Sequence, residues 1–533
     1  MTSTSNPRAS LLPWCLLLLV ASLVPYYQAL LSGFVLDDWP VIVENPAIRS
    51  LDSIASFFTQ SVWSNTPERS SNFIYRPLFL LTQALNYQLW GLNPLGYHLL
   101  NLALHCANTL LLLLILRRLL PAASLNALGL ACLLFALHPT HVESVNWIAG
   151  VTDPQLTALI LISFYAYLRG DQRVWLLLSW VAFALALLAK EVAVSFPLLL
   201  LALHLLRRQP LPWARWLPFL GLTLAYFILR SQALGSGVAL GRFNLDQLPL
   251  LLGFSGQYLQ LLVIPWPSAY YYNAPMEPLS ILIGWLVILG LGLLCWRAWQ
   301  RAQWVLLLGG AWFAASLAPA LALALLDNPT FAQRFLYLPS AGAAIALAAV
   351  LSSVRLSRPL YAGLGLAALL FAGLCVHYSS HWKSDQNFYL FALENSGQHR
   401  GPIVGLARTV AREEGSLTTA QLLELIEQRF PDPGQHALTL ETVGTDYGQR
   451  GQLELSDAIF RHLLDRYPDY AMGWFGLGNL AWMQKDLKGA VAHYLRAAQL
   501  QPRDPQICQN LQAVLRAARD PQHRSDFQRL CRD

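Results

Sequence analysis

Asp37 and Asp38 stand side by side at the end of an apolar run, in Phe34-Val35-Leu36-Asp37-Asp38-Trp39. Adjacent carboxylates beside a bilayer repel each other and resist desolvation, so acids placed there point to function by default. The chemistry open to them is proton transfer with an attacking hydroxyl; the plain alternative is a solvated loop start. A second group, His138-Pro139-Thr140-His141-Val142-Glu143 with Asp153 close behind, offers ligand types suited to a divalent metal, and equally donors for a phosphate or a sugar. Its spacing matches no established closed metal site, and an interfacial loop with ordinary polar residues is the alternative.

His98, Asn101 and His105 fall at i, i+3 and i+7, on one face of a helix. A polar stripe in an apolar helix faces protein or water rather than lipid, and hydrogen bonds between helices would satisfy it. Cations complete the set: Lys190 beside Glu191, Arg334 in Gln333-Arg334-Phe335-Leu336-Tyr337-Leu338-Pro339-Ser340, and Arg76 before Pro77. The planar fork of arginine makes paired, charge-assisted hydrogen bonds and so suits a phosphate. The alternative is a structural salt bridge, Lys190 with Glu191 for example.

The elements that must position these groups follow from composition. Of 533 residues, 55% are hydrophobic and 12% charged, against about a quarter charged in soluble domains. Charges are sparse up to roughly residue 380 and abundant beyond, which separates a long membrane part from a soluble C-terminal part. The net charge of +6 comes in short clusters between apolar runs, with no basic tract that could track a phosphate backbone, so nucleic acid is not an expected partner. Five of the seven cysteines lie in apolar runs; Cys508 and Cys531 lie in the tail, and a bond between these two is left open.

Spanning helices need about 20 mainly apolar residues. Candidates are 11–33, 97–116, 124–137, 153–168, 174–189, 192–206, 213–229, 281–296, 303–326, 337–354 and 359–378. The first run has no small-residue cleavage site before the acidic pair and reads as a retained helix. Arg117/Arg118, Arg169/Arg173, Arg207/Arg208, Arg297/Arg301 and Arg355/Arg358 recur at every second connection, which makes those loops cytoplasmic. The acids, histidines and cations above then share the opposite face, with the N-terminus inside and the C-terminus outside. The run 248–264, ending in Pro265-Trp266-Pro267 before Tyr270-Tyr271-Tyr272, is taken as re-entrant or interfacial. The expected fold is all-α: a polytopic bundle of about eleven spans with a helical solenoid behind it.

In the tail, Trp474, Leu477, Gly478, Ala481, Ala490, Tyr494, Ala497 and Pro502 match the tetratricopeptide pattern, and Val443, Gly444, Tyr447, Ser456, Phe460 and Pro468 repeat it more loosely. The expected division is a membrane domain, 1–380, with an outer loop at 34–75, a linker at 381–401, and a repeat domain at 402–533, whose best repeats are 437–470 and 471–504. Residues 402–436 read as a degenerate third pair and 505–520 as a closing helix.

Taken in order, Asp37-Asp38, Arg76-Pro77-Leu78, Asn86, His98/Asn101/His105, His138-Pro139-x-His141-x-Glu143, Gly150-x-x-Asp153, Lys190-Glu191, Arg334-x-Leu336-Tyr337-Leu338-Pro339-Ser340 and Trp382-x-x-Asp385 resemble one family. These motifs are similar to those of the transmembrane and tetratricopeptide-repeat O-mannosyltransferases, of the C-type glycosyltransferase superfamily. The short tail is similar to that of bacterial members, and Gln333 stands where the family has an acid before the arginine.

The resemblance implies a polyprenyl-phosphate-linked hexose as donor, mannose first, and a hydroxyl acceptor, first Ser/Thr of a protein, at the outer membrane face. Asp37, or less readily Asp38, would be the base, with Asp153 orienting. Arg334, Lys190 and His141, with Arg76 as a further cation, would face the lipid phosphate. His138, Glu143, Glu191, His98 and His105 remain candidates for sugar, acceptor or metal contacts. No cofactor is assigned, Mg or Mn being the candidates. The repeats would hold a protein acceptor or partner. A bacterial inner membrane is the expected location, or the endoplasmic reticulum membrane in a eukaryote, with the repeats periplasmic or lumenal. The rivals are a transferase of surface glycans, a scaffold displaying repeats, and a lipid-sugar transporter, whose charges would sit mid-membrane rather than at segment ends.

Overall fold

In hydrocarbon every backbone N–H and C=O must be bonded within the chain, and a helix does this locally. The computed structural model describes residues 11–66, 74–170, 172–235, 244–266, 278–326, 330–395, 399–412, 415–519 and 522–531, and every element among them is a helix. Two compact units are present, residues 1–388 and 389–533. The calls on Pro267 and on Tyr270–Tyr272 fall outside the described residues.

A helix occupies each of the eleven apolar runs, but they are not equally long. Among the described residues, six helical stretches are long and apolar enough to cross a membrane: Leu12–Leu31, Pro94–Leu119, Trp213–Leu234, Trp304–Leu325, Gln333–Ser353 and Arg358–Trp382. A seventh is added if Leu125–Ala136 and Pro139–Asn146, bent by 47°, form one broken span. Arg173–Ala189, Glu191–Leu206 and Leu248–Val263 are shorter apolar helices. At about 1.5 Å per residue, a helix of 17 residues such as Arg173–Ala189 falls short of the roughly 30 Å hydrocarbon layer. Length and composition thus identify six or seven spans among the described residues, against the about eleven expected from hydropathy; Pro278–Gln300, 23 residues of apolar helix, stands beside these.

Outward positions stay apolar, as at Trp213, Leu224 and Leu369, which suits a lipid-facing surface. Inward positions carry small and polar residues. Ser163 and Ser179 each donate a hydroxyl to the other's carbonyl, both at 2.8 Å. The closest helix crossing is at Gly309 and Gly342. A Cβ on Gly309 would lie 2.5 Å from the backbone nitrogen of Ala346 and 2.6 Å from the carbonyl oxygen of Gly342. Small residues of this kind let membrane helices approach backbone to backbone.

In the second unit, Pro433–Gln449 pairs with Leu453–Arg466, and Ala471–Met483 with Leu487–Leu500. The small residues of the repeat pattern have a steric reason: a Cβ on Gly476 would meet the Phe460 ring at 2.3 Å, and one on Gly478 the Tyr494 ring at 2.5 Å. Gly401–Ala411 and Thr419–Arg429 form the looser third pair, tied on by Arg408 to Asp446 and by the Tyr447 hydroxyl donating to the Ala407 carbonyl. Cys508 and Cys531, left open from the sequence, form a disulfide between the last two helices. Residues 381–401 are not extended throughout, since Asp385–Asn395 is helical.

Gly309→Val should break the helix crossing and lower stability by about 1–3 kcal/mol. Gly310→Ala, where a Cβ would meet nothing within 4 Å, should be neutral. Thermal unfolding of the two variants in detergent compares them directly.

Candidate active site

The segment that follows the first membrane helix is held from several sides. Gly33 donates its N–H to the Lys383 carbonyl at 3.0 Å, and Leu36 donates to Asp385 Oδ1 at 2.7 Å. Trp147 Nε1–H reaches the Val35 carbonyl at 3.1 Å. Leu36 sits at φ +57°, a left-handed conformation that costs a non-glycine residue about 1–2 kcal/mol. Strain of this order persists only where surrounding contacts over-determine it, and it clusters at functional sites.

Those contacts separate the two aspartates. Asp38 is 1% exposed. Its Oδ2 accepts the Val35 N–H at 2.9 Å and its Oδ1 the Ala149 N–H at 2.8 Å. Burial, together with the charges of Asp37 and Asp385, drives its carboxyl well above the usual range, while the two N–H donors pull it down. With both oxygens engaged on the backbone, Asp38 joins the Val35 turn to the Ala149 segment. Asp37 is half-buried and close enough for its charge to act on Arg334.

Three ion pairs surround this point. Lys190 Nζ meets Asp153 Oδ1 at 2.6 Å, with both side chains buried. Arg76 grips Glu191 through two hydrogen bonds, Nε to Oε2 at 3.0 Å and Nη2 to Oε1 at 2.6 Å. Glu143 accepts from Arg334 twice, from its backbone N–H at 2.9 Å and from Nη1. The expected alternative of Lys190 with Glu191 is thus replaced by two cross-pairs, because a lysine and its chain neighbour point apart at the Lys190 helix boundary. Arg334 does have an acid partner despite Gln333; it comes from the His-x-x-His-x-Glu segment. Phe335 lies between the cations, 5.3 Å from Lys190 Nζ and 5.1 Å from the Arg334 guanidinium, which also covers Trp147 at 5.1 Å.

The histidines are placed differently. His105 Nε2 donates to the Ala136 carbonyl at 3.0 Å, and its Nδ1 accepts from Tyr337, whose oxygen takes the Asn108 amide. Asn101 donates to the Trp147 carbonyl at 2.8 Å. His105 and Asn101 act as helix-to-helix glue, whereas His98, buried on the same face, has neither ring nitrogen hydrogen-bonded within the protein. His138 donates from Nε2 to the Leu262 carbonyl and caps its own turn through Thr140, which ties Leu248–Val263 to the site. His141 donates from Nε2 to Ser340. Among the described residues, no three His, Cys, Asp or Glu side chains form a metal-binding group, and His138, His141 and Glu143 bond to Leu262, Ser340 and Arg334 respectively. Buried atoms of the same segment still lack a protein partner: His141 Nδ1, Ser144 Oγ, both amide atoms of Asn146, and Asp153 Oδ2. Buried polar atoms of this kind normally find a hydrogen bond, so this is where a polar ligand would be read.

Sequence reasoning gave no role to Trp147, Ala149 or Phe335 and read Asp385 only as part of an exit motif. A backbone donor has no residue-type signature, and nothing in the spacing announces these contacts.

Comparison with known proteins is informative at this point. Residues 444–505 match a family model described as tetratricopeptide repeat. Protein O-mannosyl-transferase Tmtc1 of Drosophila melanogaster is 37% identical over 33% of this chain and 21% of that protein. Tmtc3 of the same organism is 34% identical over 32% of this chain and 20% of that protein. Protein O-mannosyl-transferase TMTC4 of Mus musculus is 26% identical over 70% of this chain and 60% of that protein. The chain is thus similar over part of its length to proteins named protein O-mannosyl-transferases and carries a tetratricopeptide repeat. The matches to Tmtc1 and Tmtc3 cover about a fifth of those relatives' length. Among solved structures, the crystal structure of ArnT from Cupriavidus metallidurans bound to undecaprenyl phosphate matches at a TM-score of 0.39 and 16% identity, over 87% of this chain and 81% of that one.

Lys190→Met leaves Asp153 charged and buried, and should cost about 3–5 kcal/mol. Adding Asp153→Leu should recover most of that loss in chemical denaturation, as for a pair whose partners matter mainly to each other.

Proposed function

We propose that this chain is a membrane glycosyltransferase that moves a hexose, mannose in the first instance, from a polyprenyl-phosphate carrier to a Ser or Thr hydroxyl of a protein at the non-cytoplasmic face. The observation that carries the reading is the division of labour in the aspartate pair: Asp38 is consumed by backbone N–H groups, while Asp37 stays half-buried beside Arg334. A scaffold would have no use for a strained, four-way-clamped loop that presents one carboxylate among three ion pairs. The relatives named protein O-mannosyl-transferases favour the same chemistry.

In the reaction, an acceptor oxygen attacks the anomeric carbon, and the bond from that carbon to the phosphate oxygen breaks. The electron pair leaves with the polyprenyl phosphate, and the hydroxyl proton passes to Asp37. Direct displacement inverts the anomeric configuration. Phosphate leaves without a protonating acid, unlike the alcohol expelled in glycoside hydrolysis. Arg334 faces the developing charge: a guanidinium has five N–H donors, and Glu143 fixes its aim with donors to spare. Lys190 and Arg76 add positive potential, each tethered by its own acid, and the Nδ1 of His141 is open to a hydroxyl. The carboxylates do not fit an Mg or Mn cage, which asks for several oxygen ligands, because Asp38, Glu143 and Asp153 already accept from the backbone, Arg334 and Lys190. The displacement is therefore written without a metal.

The tail's disulfide favours an oxidising, non-cytoplasmic compartment. Its repeats form a cavity of about 530 Å³, lined by Met472, Phe475, Asn479, Met483 and Asn510 among others, a surface suited to a polypeptide acceptor.

With radiolabelled polyprenyl-phosphate mannose and acceptor protein, Asp37→Asn should reduce turnover by about 10²–10⁴ with folding intact. Asp38→Asn should lower both turnover and melting temperature without moving the pH profile. Wild-type turnover in Asp37→Asn would remove it from the base role, and label found on glycan alone would favour the surface-glycan rival. Asn479→Ala combined with Asn510→Ala should raise KM for the protein acceptor and leave donor hydrolysis unchanged.

A further inference from the structure

Two adjoining cavities, of about 570 and 530 Å³, lie where Pro94–Leu119 and Phe196–Leu206 end, and share Arg118, Pro121 and Arg207. Arg117 lines the first and Arg208 the second. Among the described residues none of these four arginines has an ion-pair partner, whereas Arg76, Lys190 and Arg334 each do. The cluster is nevertheless built, not loose. Arg118 donates Nε and Nη2 to the Leu168 carbonyl at 3.0 and 2.8 Å, and the Arg207 guanidinium lies 4.5 Å over the Trp304 ring. Arg208 and Ala302, both lining the second cavity, hold left-handed backbone at φ +55° and +53°. Burial and the like charge of Arg118 hold the Arg207 guanidinium below the usual arginine range.

Like charges gathered with no acid paired to them among the described residues call for an anion. The apolar rim says which kind: Leu114, 40% exposed, lines the first cavity, and Leu205, 60% exposed, adjoins Leu206 and Arg207 of the second. Arginine forks bind phosphate oxygens in pairs, and exposed leucines beside them suit an acyl chain. We propose that this basic pocket binds the phosphate headgroup of an anionic phospholipid, with its chain along the leucine rim. The site is built from residues other than those of the proposed transfer chemistry and does not depend on it. Basic pockets between membrane helices are known to take such headgroups, whereas charges that only orient the chain during insertion need no cavity.

The test uses the full chain in neutral detergent, titrated with phosphatidylglycerol or phosphatidylcholine, with bound lipid read by native mass spectrometry. Phosphatidylglycerol should be retained in preference to phosphatidylcholine. At about 1 kcal/mol per arginine, Arg118→Gln with Arg207→Gln should weaken retention by about thirtyfold, and Arg117→Gln, exposed and safe to fold, by about fivefold. Equal retention of the two lipids, or unchanged phosphatidylglycerol binding in the Arg117→Gln variant, would overturn the proposal. Complete displacement of the lipid by millimolar inorganic phosphate would show a free-anion site, and so overturn the lipid assignment.

Discussion

Asp38 joins two segments distant in sequence through two backbone hydrogen bonds, one to Val35 and one to Ala149. A buried carboxylate is costly unless its oxygens are satisfied, and hydrogen bonds to a charged group are worth more than neutral ones. Satisfying them here requires the 33–38 turn and the 147–153 segment to keep one mutual position. Leu36 is held left-handed within that junction, and Asp37, next along the chain, lies close enough for its charge to act on Arg334. The remaining geometry of the site follows from this junction.

The ion pairs extend the same logic. Each cation is held by an acid from a different part of the chain: Arg76 with Glu191, Lys190 with Asp153, Arg334 with Glu143. Such pairs contribute little net stability, since desolvation offsets much of their attraction. What they supply is orientation: each side chain keeps one direction while the surrounding helices stay packed. Preorganised charge of this kind is what stabilises a developing phosphate charge without reorganisation at the moment of reaction. The histidine stripe has the complementary task, bonding Pro94–Leu119 to the Ala136 carbonyl and to Tyr337 so that the helices bearing the charges do not slide.

The helices, the tetratricopeptide tail and the pool of candidate residues were legible from one dimension, because hydrophobic periodicity and repeat offsets are local properties of a chain. The lengths of the helices were not: hydropathy marks apolar runs, but the end of a helix depends on caps and neighbours, so runs of similar hydropathy became helices of unequal length. Asp37, Glu143, Asp153, Lys190 and Arg334 could be singled out by type and place. Which acid meets which cation could not, and the adjacent Lys190–Glu191 pairing suggested by sequence gave way to partners 37 and 115 positions away.

By itself, then, the sequence determined that this is a helical membrane protein with a repeat tail and a set of acids, histidines and cations at segment ends, since each of those is written in composition, period or spacing. Only the tertiary structure decided that Asp38 accepts from Val35 and Ala149, that His105 bonds to the Ala136 carbonyl and Tyr337 while His138 reaches the Leu262 carbonyl, and that an arginine pocket lies at the ends of two other helices. Those outcomes rest on backbone donors, carbonyls and distances between remote segments, which have no residue identity to read and come into being when the helices pack.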